Sequence, residues 1–453
     1  MDALTSLSCV ELAGAIRQRR TSCVAAMEAV LVRAHGVQPK LNCFLRIDDD
    51  AALAAAHFAD REVARGYLRG PLHGVPMAHK DMYYRRGVAS SCGSKILRDV
   101  PAKATAQVLE HLDAAGAIQF GVLNMAEFAM GPTGHNWHYG HCRNPWDPQR
   151  ITGGSSSGSG ASVAARANFA ALGSDTGGSI RLPSAFCGLS GIRPTHGSVS
   201  VENILPLCPS LDTVGPLTRT VEDTALVLSV IAQTDFMKEL EKSIAGLRIG
   251  RAFREDCDAE IAAAMDASAE VLRRLGATVV DVELPDFSQL SARAAVLHAA
   301  EANPFHDEWF RTRPQDYSPQ VRERLEKGRP VLARDYLQAL QARAAAIAAF
   351  CESVFSKVDL VHGPVVPFQT PTIAETDISS GDAAAEMLGR FVRFTRPISY
   401  LGLPVACANA GFTRAGMPIG LQLVAPPRQD ATALRAAHAY QRATDWHLRA
   451  PAI

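Results

Sequence analysis

The sequence has no excess of charge of either sign. Its 46 Lys and Arg residues balance 46 Asp and Glu residues over 453 positions, so the formal net charge is +0. A chain without a net field is not drawn to nucleic acid or to an anionic membrane surface. We therefore expect neither as a partner, and the composition favours chemistry on small molecules.

Long apolar runs and paired cysteines are also lacking. No stretch approaches the 18 uninterrupted apolar residues of a membrane-spanning helix. The N-terminus does not combine a basic start, an apolar run and a small-residue cleavage site, so no secretory signal is expected. The ten cysteines are scattered without a C-x-x-C pair, which indicates reduced thiols and a cytoplasmic location.

The hydrophobic pattern alternates between strand-like and helix-like segments along the chain. Residues 246–285 have the pattern of a compact βαβ unit. Residues 285–355 are predicted to form a helical insertion, with helices over 288–302 and 335–355. No repeat interrupts this alternation. The chain is therefore predicted to be one α/β domain over residues 1–453.

A glycine- and serine-rich stretch, Gly153 to Pro183, stands out within this pattern. Its first eight residues are four Gly and four Ser, a composition typical of a flexible linker. However, a small-residue helix, an apolar run and a second Gly-rich turn follow at once, which indicates a backbone held close to a ligand. Neither turn carries a phosphate-binding pattern, so nucleotide binding is not favoured.

A lysine elsewhere in the chain, Lys80, forms a recognisable set with two serines of the glycine-rich stretch. Lys80 follows a predicted strand, Leu72 to Ala78, which places it at an edge of the sheet where α/β proteins collect site residues. Together with Ser155 and Ser179, which are 24 positions apart, it resembles the Ser–cis-Ser–Lys triad of the amidase signature family. The phrases GGSSSG, GSDTGGSIRLP and GLSGIRPTHG follow in the order of that family. The resemblance implies a mixed, twisted central β-sheet covered by helices on both faces.

The resemblance also implies roles. Ser179 would be the nucleophile, Ser155 the bridging serine after a cis peptide bond at Gly154, and Lys80 the base, which must be neutral to act. The oxyanion would be held by backbone N–H groups of Thr176, Gly177, Gly178 and Ser179. Supporting positions around the triad would be Ser156, Asp175 and Arg181. One departure is Ser399, where the family usually has asparagine.

Two functions fit this set. The first is a metal-free serine amidohydrolase that needs no cofactor, forms an acyl-enzyme on Ser179 and cleaves small uncharged aryl or alkyl amides, with carbamates and esters as further substrates. Its only partners would be the substrate and, at most, a second copy in a homodimer. The alternative is a glutaminase-type subunit of an amidotransferase assembly that passes ammonia to a partner. An idle binding protein on the same fold is disfavoured because all three triad positions are filled.

The preference for uncharged substrates depends on the loop from Met125 to Asn144. No arginine or lysine lies between Met125 and His141 to hold a carboxylate. Phe128 and Met130 have an equally good explanation as core residues. The predicted pocket residues are Met125, Phe128, Met130, Trp137 and Tyr139.

Three histidines in the same loop form a candidate metal site. His135, His138 and His141, followed by Cys142, include good zinc ligands. Their spacing of three matches neither H-E-x-x-H nor a zinc-finger pair. We therefore expect pocket or surface histidines and no metal.

Overall fold

The computed structural model describes residues 3–253, 257–377 and 381–453. Within them, eleven strands form one mixed sheet, in the order β1-β3-β2-β4-β6-β5-β10-β11-β9-β7-β8. The strands are β1 Phe44–Ile47, β2 Pro76–Lys80, β3 Ile118–Leu123, β4 Ala170–Ser174, β5 Ser190–Arg193, β6 Val214–Thr218, β7 Arg248–Arg251, β8 Thr278–Asp281, β9 Leu360–Pro364, β10 Val405–Phe412 and β11 Pro418–Val424.

Helices pack on this sheet. They are α1 Ala3–Ser6, α2 Cys9–Arg17, α3 Cys23–Leu41, α4 Asp49–Ala64, α5 Gln107–Ala114, α6 Ser157–Ala164, α7 Arg181–Cys187, α8 Val221–Ala232, α9 Met237–Leu240, α10 Ala259–Arg274, α11 Ser288–Thr312, α12 Pro319–Gly328, α13 Ala333–Phe350, α14 Ile373–Thr376, α15 Gly381–Val392, α16 Arg396–Leu401 and α17 Asp430–Arg442. Within the described residues, none of them is both long and apolar enough to cross a membrane.

The hydrophobic core lies on both faces of the sheet. Along β10, Ala406 and Ala408 belong to one cluster of buried side chains, whereas Val405 and Cys407 belong to the other. Successive residues of a strand point to opposite faces, so the two clusters lie on opposite sides of the sheet. The predicted fold class, a single α/β domain with a mixed sheet covered on both faces, is confirmed.

The central strands bring the site residues to one edge. β2 pairs in parallel with β4, so their carboxyl ends meet. Lys80 is the last residue of β2 and Ser174 the last of β4. The predicted strand from Leu72 to Ala78 is displaced towards the C-terminus, because Gly74 has a φ of 79° and turns the chain before the strand begins.

The segment between β8 and β9 is helical, as the pattern predicts, but with different bounds. α11 continues ten residues beyond residue 302, since it ends at Thr312. α12 was not predicted at all. Its sequence, PQVRERLEKG, is strongly polar, and only a few of its side chains are buried.

Candidate active site

A buried lysine lies at the centre of the site. Lys80 is fully shielded from solvent at the end of β2. Its Nζ donates to Ser155 Oγ at 2.7 Å and to Ser174 Oγ at 2.9 Å. Sequence reasoning missed Ser174, although its place directly before Asp175 at the end of the apolar run 169–173 was a usable signal. The structure therefore brings Lys80 and Ser155 together, with a second serine on the same amine.

Burial sets the protonation of this amine. Loss of hydration lowers the pKa of Lys80 from 10.5 to about 7, against the opposing attraction of the Asp212 and Asp175 carboxylates. A lysine with this pKa is partly neutral at neutral pH. It can then accept a proton from a hydroxyl group, which an ordinary lysine cannot do.

The first glycine-rich turn presents Ser155 to the lysine. The peptide bond between Gly154 and Ser155 is cis. Ser156, also buried, receives a hydrogen bond from the backbone N–H of Ser174 at 3.3 Å, which joins this turn to the end of β4. α6 begins two residues after Ser155, at Ser157.

Asp175 organises the second glycine-rich turn. Its buried carboxylate forms ion pairs with Arg181 at 2.9 Å and with Arg193 at 3.2 Å. Burial would raise the pKa of Asp175, but the two guanidinium groups outweigh it and hold that pKa well below its usual range. Arg181 in turn donates to Ser399 Oγ at 2.7 Å. The serine that departs from the family pattern thus supports the same network.

The expected oxyanion donors are not equivalent. The backbone N–H of Gly178 donates to Asp175 Oδ1 at 2.8 Å, so it is already engaged. Within the described residues, the N–H groups of Thr176, Gly177 and Ser179 donate to no protein acceptor. Gly178 has a φ of 134°, and a Cβ there would lie 2.7 Å from Thr395 Oγ1. The turn therefore requires glycine for its shape, while its neighbours offer the free donors.

A narrow cleft of about 60 Å³ opens on this turn. Thr176, Gly177 and Ser179 line it, which places the second serine of the triad in contact with whatever the cleft holds. Among the hydrogen bonds of the described residues, none joins Ser155 to Ser179. Catalytic hydrogen bonds are often looser before substrate binds.

The lining of the cleft differs from the sequence expectation. Of the predicted pocket residues, only Met130 lines it. Met125 is fully buried. Phe128 packs against His306 and Trp309, with ring centroids 4.5 and 5.9 Å apart. Both therefore belong to the core.

The two remaining predicted pocket residues lie away from the cleft lining. Trp137 packs near His135 and His141, at 5.6 and 5.5 Å between ring centroids. The Tyr139 ring lies under the guanidinium of Arg98, 5.2 Å from its carbon. Both side chains are partly exposed, but neither is among the residues that line the cleft.

Polar groups from distant segments take their place. His298 on α11, Arg324 on α12 and Arg396 at the start of α16 all line the cleft. Nothing local in the sequence marked them, because each lies more than 100 residues after the glycine-rich turns. The search for a cation in the sequence covered only the loop from Met125 to His141, and the two arginines that line the cleft lie outside it.

The three histidines of the loop separate. His138 Nε2 lies 2.8 Å from Glu127 Oε1. His135 and His141 remain together with Asp377, and one potential ligand atom of each lies within 4.8 Å of the others. This group is not among the described residues that line the cleft.

Together, the fold and the site define an amidase-type enzyme acting on C–N bonds. The chain belongs to the amidase family, whose pattern residues 25–434 match, so the resemblance to the amidase signature family is confirmed.

Among its relatives are subunits A of glutamyl-tRNA(Gln) amidotransferase. That of Pseudomonas aeruginosa is 38% identical over 99% of both chains, and that of Chloroflexus aurantiacus is 37% identical over the full length of both. A solved structure described as a vestigial complex that reveals the origins of an s-triazine catabolic enzyme is 35% identical. It has a TM-score of 0.89 and covers 96% of this chain and 98% of its own.

These relatives correct two expectations. The main prediction, a lone hydrolase of small uncharged amides, is wrong, because full-length relatives are amidotransferase subunits. A partner set restricted to the substrate and a second copy is wrong for the same reason.

Proposed function

We propose that this chain is a glutaminase-type subunit of an amidotransferase assembly. It hydrolyses the terminal amide of a carboxylate-bearing donor, with glutamine as the reference compound, and passes the ammonia to a partner subunit. The observation that carries the proposal is the end-to-end similarity to amidotransferase subunits A. The lysine–serine pair beside a cleft lined by Ser179 supports it.

The chemistry begins with proton transfer. Neutral Lys80 accepts the proton of Ser155, Ser155 accepts that of Ser179, and Ser179 Oγ bonds to the amide carbon. The pKa of about 7 makes the neutral amine available at neutral pH. The hydrogen bond between Ser155 and Ser179 forms when the donor enters the cleft.

The developing oxyanion is held by the turn. The free N–H groups of Thr176, Gly177 and Ser179 donate to it, while Asp175 keeps the turn in shape. The relay then returns a proton to the amide nitrogen, the C–N bond breaks and ammonia leaves. Water attacks the acyl ester, releases the acid and regenerates Ser179.

The free thiols indicate the cellular compartment of the assembly. All ten cysteines are free. Free thiols persist in a reducing compartment. We therefore place the assembly in the cytoplasm.

Isotope release and chemical trapping test the catalytic part. Glutamine labelled with ¹⁵N in its amide should release labelled ammonia, and added hydroxylamine should intercept the acyl group as a hydroxamate. Ser179→Ala should abolish both products, whereas Ser198→Ala, at an exposed serine, should leave them unchanged. Hydroxamate formation by Ser179→Ala would contradict the proposed nucleophile.

Native mass tests the assembly part. The chain purified from its own cells should have a mass above that of the 48.5 kDa polypeptide or its dimer, because further subunits accompany it. Removing those subunits should reduce ammonia release. A lone chain with undiminished turnover would contradict the assembly.

A further inference from the structure

Two arginine side chains give the lining of the cleft beside Ser179 a positive charge. Arg324 and Arg396 both line it. Arg324 Nη1 donates to the Met130 carbonyl at 2.5 Å, and the neighbouring Glu323 is ion-paired with Lys327. Within the described residues, neither cleft arginine forms an ion pair with a carboxylate. Both side chains are half-buried. Guanidinium groups that are partly removed from water, and that hydrogen-bond to no carboxylate, favour the binding of an anion.

The two guanidinium groups also act on each other. Burial and the nearby charge of Arg396 outweigh the attraction of the Glu323 carboxylate and lower the pKa of Arg324 to about 10. Burial alone lowers the pKa of Arg396 to about 10. Both remain charged at neutral pH, and the repulsion between them is relieved when an anion binds between them.

His298 adds a neutral polar group to the same wall. Burial and the charges of Arg396 and Arg324 lower the pKa of His298 to about 3. Most of the other residues that line the cleft are apolar, and they include Leu182, Leu207, Leu211, Ala294, Leu388 and Val392.

The cleft offers nothing comparable to a cation. None of the described residues that line it is acidic. Of the acids around the site, Asp175 is held by two arginines. Asp212 accepts from Thr176 Oγ1 at 2.5 Å and from two backbone N–H groups. Glu127 accepts from Ser94 and from the Ser318 N–H and pairs with His138. Among the described residues, the lining of the cleft therefore offers no carboxylate to an ammonium group.

We propose that Arg324 and Arg396 together bind a carboxylate of the substrate, and that the preferred substrate is an amide carrying a carboxylate but no neighbouring ammonium. The apolar wall would contact the carbon chain between the carboxylate and the amide, which reaches Ser179. This inference rests on the proposed amide hydrolysis and narrows its donor. Zwitterionic glutamine would be a poorer donor than its deaminated analogue.

Three amides of equal chain length test the preference on the enzyme as purified from its own cells. Glutaramate is glutamine without the amino group, and pentanamide replaces the carboxylate by a methyl group. We expect kcat/KM for glutaramate to exceed that for glutamine and that for pentanamide by at least about tenfold each, because a buried ionic group without a partner is strongly disfavoured. Equal or better turnover of either competitor would overturn the proposal.

Variants of the two arginines test whether they cause the preference for glutaramate. Arg324→Gln and Arg396→Gln should each lower kcat/KM for glutaramate about 10- to 100-fold, as expected for a lost charge-assisted hydrogen bond, and change that for pentanamide less than about twofold. Arg322→Gln and Arg393→Gln are matched controls, since both side chains are exposed on neighbouring positions. A parallel loss for glutaramate and pentanamide would show a merely structural role and overturn the assignment.

A binding measurement separates this inference from the proposed function. Calorimetry with the Ser179→Ala protein should show glutaramate binding that is weakened about 10- to 100-fold by adding Arg396→Gln. Binding that is insensitive to both arginines would overturn the carboxylate site even if Ser179 proves essential. Conversely, hydrolysis that survives Ser179→Ala would refute the proposed mechanism, whatever the arginines bind.

Discussion

Replacing Lys80 by methionine should inactivate the protein and yet stabilise it at neutral pH. Methionine has a similar length and carries no charge. A fall in the pKa of Lys80 from 10.5 to about 7 corresponds to roughly 5 kcal/mol of folding free energy, since each pKa unit is worth about 1.4 kcal/mol. The variant loses hydrogen bonds to Ser155 and Ser174, at about 1 kcal/mol each. The free energy of unfolding at pH 7 should therefore rise by roughly 2 to 3 kcal/mol.

The pH dependence distinguishes this effect from ordinary repacking. Between pH 7 and 10.5 the unfolded state of the wild type binds more protons at Lys80 than the folded state, so its stability rises with pH. The advantage of Lys80→Met should thus shrink by about 2 kcal/mol between pH 7 and pH 9. Urea unfolding at both pH values measures it, with Lys40→Met, at an exposed helix end, as a control that should change little. An advantage that is the same at both pH values, or a loss of stability at pH 7, would show that the buried amine of Lys80 does not destabilise the folded protein.

Three further predictions concern the rate, the turn and the metal question. The kcat/KM for amide hydrolysis should rise with pH and level off above an apparent pKa of about 7, as Lys80 becomes neutral. The Lys80→Ala variant should lose this profile and regain part of its rate at higher pH. A full, pH-independent rate in that variant would exclude Lys80 as the base. Asp175→Asn should lower the free energy of unfolding by about 3 to 5 kcal/mol, measured in urea, because two buried arginines lose their counter-charge; a change below about 1 kcal/mol would contradict the ion-pair account. EDTA should leave the rate unchanged, since a serine–lysine relay needs no metal; inhibition reversed by zinc and lost in His135→Ala or His141→Ala would assign a role to that cluster.

The triad neighbourhood could be predicted because its signals are local and compound. Ser155 and Ser179 lie in glycine-rich turns whose order along the chain is itself informative. Lys80 ends an apolar strand, so its burial and its lowered pKa follow from its immediate neighbours. The hydrogen bond from the Gly178 N–H to Asp175 could not be predicted, because the sequence does not distinguish this N–H from those of the neighbouring residues.

The substrate cleft could not be predicted because its charge comes from afar. Arg324 lies on a polar helix that resembles any solvated surface helix in sequence. Its significance depends on the lack of a carboxylate partner, which is a property of the tertiary structure alone. Trp137 and Tyr139 could not be placed either, because local composition indicates that a side chain is exposed but not the surface on which it lies.

Mass spectrometry can detect an acyl-enzyme on Ser179 directly. The protein is mixed with glutaramate, quenched in acid within one turnover and digested. We expect a glutaryl ester on the peptide that contains Ser179, lost in Ser179→Ala and retained in Ser198→Ala. A glutaryl group on any other residue, or one that persists in Ser179→Ala, would exclude Ser179 as the nucleophile.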